Sequence, residues 1–140
     1  MGTINFARVL IGGLVAGLIL NIGEWLLNGM VLAKDMKDFF QKCGLPEPGT
    51  NFLVIAVTIT FVLGIVLVLG YAAMRPRFGA GPKTAIITAL FAWFGIYLYQ
   101  NLIGFGLGIV PPKALVIALA WGLVEYILAA LVGGALYKEA

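Results

Sequence analysis

Two glutamates, Glu24 and Glu125, each stand alone near the middle of a long uncharged stretch, and no other residues in this chain have as much capacity for chemistry. A carboxyl group in hydrocarbon costs about 2.5–3.5 kcal/mol on insertion scales for the comparable aspartate, so it turns toward a bundle interior, a cavity or a partner. Asn21 and Asn28 share the stretch of Glu24, and Thr58, Tyr97, Gln100 and Asn101 are hydrogen-bonding residues of two further uncharged stretches between the acids. No Lys or Arg lies well inside these stretches, so a positive partner for either acid must come from outside the chain. This set allows two roles. The acids are either hydrogen-bonded structural glue between helices or a proton or cation site in a polar pocket. Tyr97, Tyr99 and Tyr126 beside them suit an organic cation, or fill gaps between helices.

Other chemistries lose their usual groups. With no histidine and one cysteine, Cys43, the common zinc, haem and copper sites lack their commonest ligand, and an intrachain disulfide is excluded. No cofactor or metal is expected. No nucleophile motif is present either, which argues against an enzyme. The segment Gly79-Ala80-Gly81-Pro82-Lys83-Thr84 has Pro82 where a phosphate loop needs glycine, and it follows no strand. It reads instead as a helix N-terminus beside Arg75, Arg77 and Lys83, an arrangement suited to an anionic lipid headgroup.

The elements that must position the acids are membrane spans. Hydrophobic residues make up 62% of the 140 positions and charged ones 11%, against about 45–50% and 25% in a soluble domain. The predicted fold is an all-α integral membrane protein, a four-transmembrane-helix bundle in a single domain over residues 1–140. Its spans cover about 9–33, 52–74, 84–110 and 114–137, with prolines at the helix edges. The net charge of +3 comes from basic residues scattered singly at the ends of these spans, which fits membrane anchoring and no nucleic acid. The first apolar stretch exceeds a signal-peptide core, and Phe6 stands where a myristoylation motif wants Ser or Thr, so neither cleavage nor lipidation is expected. After the first span, Met36, Phe39, Phe40 and Cys43 recur at helical spacing. They predict a short amphipathic interfacial helix ended by Gly44 and Pro46. The dense Arg75…Lys83 loop points both termini toward the cytoplasm, in a bacterial inner membrane.

Depth and face then bring the acids together. At about 1.5 Å per residue, Asn21 and Glu125 lie near the midplane and Glu24 about 5 Å from it, with Asn101, Gln100 and Thr58 within roughly another turn. Gly13, Gly17, Asn21, Glu24 and Asn28 share one stripe of the first helix, and Ala118, Gly122, Glu125 and Gly133 one stripe of the fourth. Each acid therefore lies on a small-residue seam where helices approach closely. The run Gly104 to Gly108 reads as packing in the third span. A short match around Glu24-Trp25 and Glu125-Tyr126 hints at an inverted two-helix repeat. The leading expectation is a non-catalytic membrane component acting through helix association, as a homo-oligomer or an accessory subunit, with lipids and other membrane chains as partners. The first alternative is a proton- or cation-coupled transporter or channel using the two glutamates, and the second a lipid- or quinone-binding protein.

Overall fold

The structure, a computed structural model, describes residues 2–140, and these contain no strand. In chain order the elements are α1 (Phe6–Leu26), a π-helical segment (Leu27–Val31), α2 (Ala33–Lys42), α3 (Thr50–Phe78), α4 (Pro82–Trp93), a second π-helical segment (Phe94–Leu98), α5 (Tyr99–Gly106) and α6 (Pro112–Leu136). Four continuous helices are long and apolar enough to cross a membrane: Phe6–Val31, Thr50–Phe78, Pro82–Gly106 and Pro112–Leu136. The chain is an integral membrane protein built as a four-helix bundle.

Local chemistry moves several helix ends from where the hydropathy pattern put them. The first helix starts at Phe6, not Val9, because the Asn5 side chain accepts the Arg8 backbone N–H at 3.1 Å and caps it. The second does not stop before Arg75-Pro76-Arg77. It runs through them to Phe78, because a proline in the last turn removes a single backbone bond and two arginines there complement the helix dipole. Pro76 is thus inside a helix rather than at its edge, and the stop is Gly79, whose N–H donates to the Arg75 carbonyl at 2.8 Å. The third span ends at Gly106, four residues before the expected Val110. Gly108 adopts φ +74, its N–H reaches the Phe105 carbonyl at 3.0 Å, and the Ile109 N–H reaches the Gly104 carbonyl at 2.9 Å. That is a Schellman stop, so the Gly104 to Gly108 run terminates a helix instead of lining a packing seam.

The amphipathic helix after the first span is α2. Met36, Phe39 and Phe40 are half-buried, whereas Cys43, expected on the same apolar side, is the exposed residue at its C-terminal end. The helix ends as predicted at Gly44, with the Leu45 N–H on the Phe40 carbonyl at 2.9 Å.

Packing centres on α1, which lies between α3 and α6. A Cβ built on Gly13 would stand 2.5 Å from the Ile65 Cα, and one on Gly17 2.8 Å from the Phe61 Cα. From the other side, a Cβ on Gly64 would collide with the backbone of Gly13 and Gly17. Toward α6, a Cβ on Gly12 would meet the Gly133 carbonyl oxygen at 2.5 Å, and one on Gly133 would meet Val68 Cγ2 at 2.7 Å. These backbones touch because no side chain separates them, and dispersion across such seams is what binds helices in lipid. Leu20, Val68, Ala89, Tyr126 and Ala129 complete a core shared by all four spans. Both termini meet the α3–α4 turn at one end of the bundle. There the Asn5 N–H donates to the Tyr137 hydroxyl at 3.3 Å, and the Gly81 N–H to the Tyr71 hydroxyl at 3.0 Å.

Gly64→Leu should therefore destabilise the bundle by about 1–3 kcal/mol or more, the range for overpacking a tight core. Gly106→Ala, with nothing within 4 Å of its added methyl, should be near neutral. Unfolding in mixed micelles by titrated denaturing detergent reads the difference.

Candidate intramembrane carboxylate site

Glu24 is held from two directions, each by a residue in a π-helical segment. Asn28, in the first such segment, donates from Nδ2 to Glu24 Oε2 at 2.8 Å and to the Glu24 carbonyl at 3.1 Å. Tyr97, in the second, donates its hydroxyl to Glu24 Oε1 across the bundle. A π turn carries one more residue than the α spacing allows, which rotates the residues beyond it about the helix axis, and such turns are frequent at functional sites. Asn28 reaches Glu24 as an i, i+4 neighbour on the same helix face, and Tyr97 reaches it across the bundle. Each segment contains a glycine, Gly29 and Gly95, with room around it: Gly29 meets nothing closer than the Trp25 ring at 3.6 Å, and Gly95 has nothing within 4 Å.

Glu125 lies on α6 opposite, 5% exposed, and neither of its carboxyl oxygens has a hydrogen-bond partner among the described residues. It fits against α1 because residue 23 is glycine: a Cβ there would stand 2.6 Å from the Glu125 carboxyl carbon. The Trp121 indole, one turn earlier on α6, donates to the Gly23 carbonyl at 3.1 Å and fixes the two helices at this depth. Tyr97 is held in turn by a T-shaped contact with Tyr126, ring centroids 5.5 Å apart, and by Gly122, whose hydrogen lets the Tyr97 ring lie against α6. The second span adds little polarity. Asn21 Nδ2 donates to the Gly17 carbonyl at 2.9 Å and reaches the Val57 carbonyl of α3 at 3.4 Å.

Both acids border a cavity of about 730 Å³ between α1, α2 and α3, whose wall also includes Asn21, Asn28, Trp25, Phe40, Phe52 and Tyr126. A smaller cavity of about 420 Å³ lies on the other side of Glu24, lined by Tyr97, Asn101, Ala118 and Phe39. Glu24, Asn28, Met36 and Phe40 border both, so the Glu24 cluster stands as a partition and α2 covers the two chambers together. The basic residues of the spanning helices, Arg8, Arg75, Arg77, Lys83 and Lys113, all occupy first or last turns, away from this layer. An acid pair with no counter-charge inside the spans, bordering a mostly apolar chamber whose one basic residue is the exposed Lys37 of α2, is suited chemically to holding a cation.

Of the residues expected in the polar layer, Glu24, Glu125, Asn21, Asn28, Tyr97 and Asn101 come together; Thr58 and Gln100 do not. Thr58 is exposed because it lies about 200° around α3 from Thr60, which faces inward. Gln100 is exposed one position off the Tyr97–Asn101 stripe, beside Tyr99, which also faces outward. Asn101 donates to the Tyr97 carbonyl at 2.8 Å and does not touch the acids. The packing residues Gly13, Gly17, Ala118, Gly122 and Gly133 are all buried within the chain. The basic trio does not form one headgroup site: Arg77 and Lys83 are exposed, but the Arg75 guanidinium turns inward over the Tyr137 ring at 5.4 Å and lies 3.8 Å from Glu139. Sequence reasoning passed over Gly23, and it placed Trp121 near the layer only as a gap-filling ring or aromatic wall, without its bond to Gly23. Their signal was present in a glycine adjoining an intramembrane acid and an indole four residues before the other.

No protein-family model, curated protein or solved structure matches this chain.

If packing rather than the hydroxyl bond positions Tyr97, Tyr97→Phe should lower the unfolding free energy by only about 0.6 kcal/mol, the mean for side-chain hydrogen bonds in membranes. Gly122→Leu, which drives a side chain into the Tyr97 ring, should cost several times as much in the same detergent titration.

Proposed function

We propose that this chain is a small membrane-embedded cation-binding protein of the transporter class, in which Glu24 and Glu125 exchange protons for a cation drawn through the larger cavity. The observation that carries the reading is Glu125, nearly fully buried, its carboxyl without a partner among the described residues, beside a second acid and with the basic residues of the spanning helices confined to their end turns. A purely structural acid finds donors, since a buried carboxyl left unsatisfied costs several kcal/mol. Glu24 has found them and Glu125 has not. A fold that keeps such a group keeps it for something that arrives.

Helix association as a homo-oligomer or accessory subunit remains the rival. Its support came from the small-residue seams, and these are filled by contacts inside the chain, which leaves the outer apolar surface to lipid or to partners. We take the protein to sit in a bacterial inner membrane with both termini cytoplasmic. The termini share one end of the bundle with the basic α3–α4 turn, and basic loops favour the cytoplasmic side. Arg77 and Lys83 there face outward, where they are free to meet anionic lipid headgroups.

Purified protein in vesicles loaded with a pH-sensitive dye should move protons when guanidinium, a cation with no appreciable membrane-permeant neutral form near pH 7, is supplied outside. Glu125→Gln should reduce that movement at least tenfold while helix content and melting temperature stay unchanged. Wild-type vesicles that respond no faster than protein-free ones would remove the reading in favour of a structural role.

A further inference from the structure

Around the two carboxyls the hydrogen-bond donors are already committed inside the chain. Both N–H groups of the Asn28 amide go to Glu24, at 2.8 and 3.1 Å, and those of Asn21 to the Gly17 and Val57 carbonyls, at 2.9 and 3.4 Å. The Tyr97 hydroxyl goes to Glu24, the Thr60 hydroxyl to the Ala56 carbonyl at 2.7 Å and the Trp121 indole to the Gly23 carbonyl at 3.1 Å. An amide nitrogen has two hydrogens and a hydroxyl or indole one, so these groups have nothing further to give. What remains unpaired is acceptors: both oxygens of Glu125, the amide oxygens of Asn21 and Asn28, and the second lone pairs of the Glu24 carboxyl. On the same wall the Tyr126 hydroxyl, the Trp25 indole and the Lys37 ammonium are the donors without a bond among the described residues, and Trp25 and Lys37 are exposed.

A wall of acceptors selects a ligand by what it donates. A protonated primary amine brings three N–H donors and a positive charge, whereas a quaternary ammonium of the same charge brings none. A carbonyl ligand such as a quinone, or an anionic headgroup, would find only the Tyr126 hydroxyl and the exposed Trp25 and Lys37 as donors and would leave both carboxyls without one. Beyond the polar end the side chains of Leu20, Phe52, Leu53, Ala56 and Val57 make an apolar wall, and the exposed Lys37 and Glu47 complete the lining. Its volume of about 730 Å³ exceeds what a bare ammonium or metal ion needs and falls in the range of roughly 300–1,000 Å³ that holds small organic ligands.

We infer that the site takes a protonated primary amine bearing an apolar tail, its ammonium donating to Glu24 and to the amide oxygens of Asn21 and Asn28, with Glu125 behind them as the second counter-charge. The inference rests on the cation-site reading above and narrows it to one ligand class. Binding is non-covalent, and the tail lies along α3 toward Phe52.

Octylammonium and octyltrimethylammonium carry the same tail, so their comparison isolates the head group from partitioning into lipid. Each is titrated at equal lipid mole fraction into the protein in nanodiscs, with the intrinsic fluorescence of its three tryptophans as readout. The primary amine should bind about tenfold or more tighter, the difference expected for charge-assisted hydrogen bonds that the quaternary head does not make. Glu125→Gln, which removes a counter-charge that both ions use, should weaken the binding of each. Equal or tighter binding of the quaternary ion that still depends on Glu125 overturns the donor inference and leaves the cation site standing. No Glu125-dependent binding of either ion overturns both. The ratio of affinities is read in the wild-type protein, so it does not depend on whether the variant folds.

Discussion

An acid that cannot be paired from within is the constraint on which this bundle turns. In hydrocarbon a carboxyl must be neutral, hydrogen-bonded or beside a cation, and each option dictates what surrounds it. Glu24 takes the second option through Tyr97 and Asn28. Glu125 has no such bond among the described residues, although it is nearly as buried as the alanines around it. The helices are arranged so that this group borders a chamber rather than acyl chains, and the rest of the fold serves that placement.

Small residues make the arrangement possible. Gly13, Gly17 and Gly64 bring α1 and α3 into backbone contact, and Gly12 and Gly133 do the same for α1 and α6. Close approach on those sides leaves the gap on the remaining one, where α1 and α3 part near Asn21 and Phe52 and α2 folds over the opening. Gly23 and Gly122 then set individual contacts, the first against the Glu125 carboxyl and the second against the Tyr97 ring. The two donors to Glu24, Asn28 on its own helix and Tyr97 on the third span, each lie in a π-helical segment.

The bundle itself was legible because hydropathy and length force it: four uncharged stretches of that size have no other soluble or membrane solution. The stripe of Gly13, Gly17, Asn21, Glu24 and Asn28 was legible for the same reason, since a period of 3.6 is a property of the chain alone. Helix ends were less so. Pro76 looks like a stop until the adjoining dipole and Gly79 are weighed, and Gly108 looks like a packing residue until its positive φ is seen. Thr58 and Gln100 were misplaced because depth was read without angle, and on a helix two residues at one depth are able to face opposite ways. The pairing of Tyr97 with Glu24, and the bareness of Glu125, depend on contacts between helices distant in sequence, which no local pattern encodes.

Solid-state NMR of the ¹³C-labelled protein in lipid bilayers tests the central placement most directly, because the chain has only six acidic residues and their carboxyl carbons are readily resolved. A through-space correlation between the Glu125 carboxyl carbon and the α-carbon of Gly23 is the predicted result, with no correlation from Glu125 to lipid acyl methylenes. Strong acyl contacts to that carboxyl and no Gly23 signal would contradict the account.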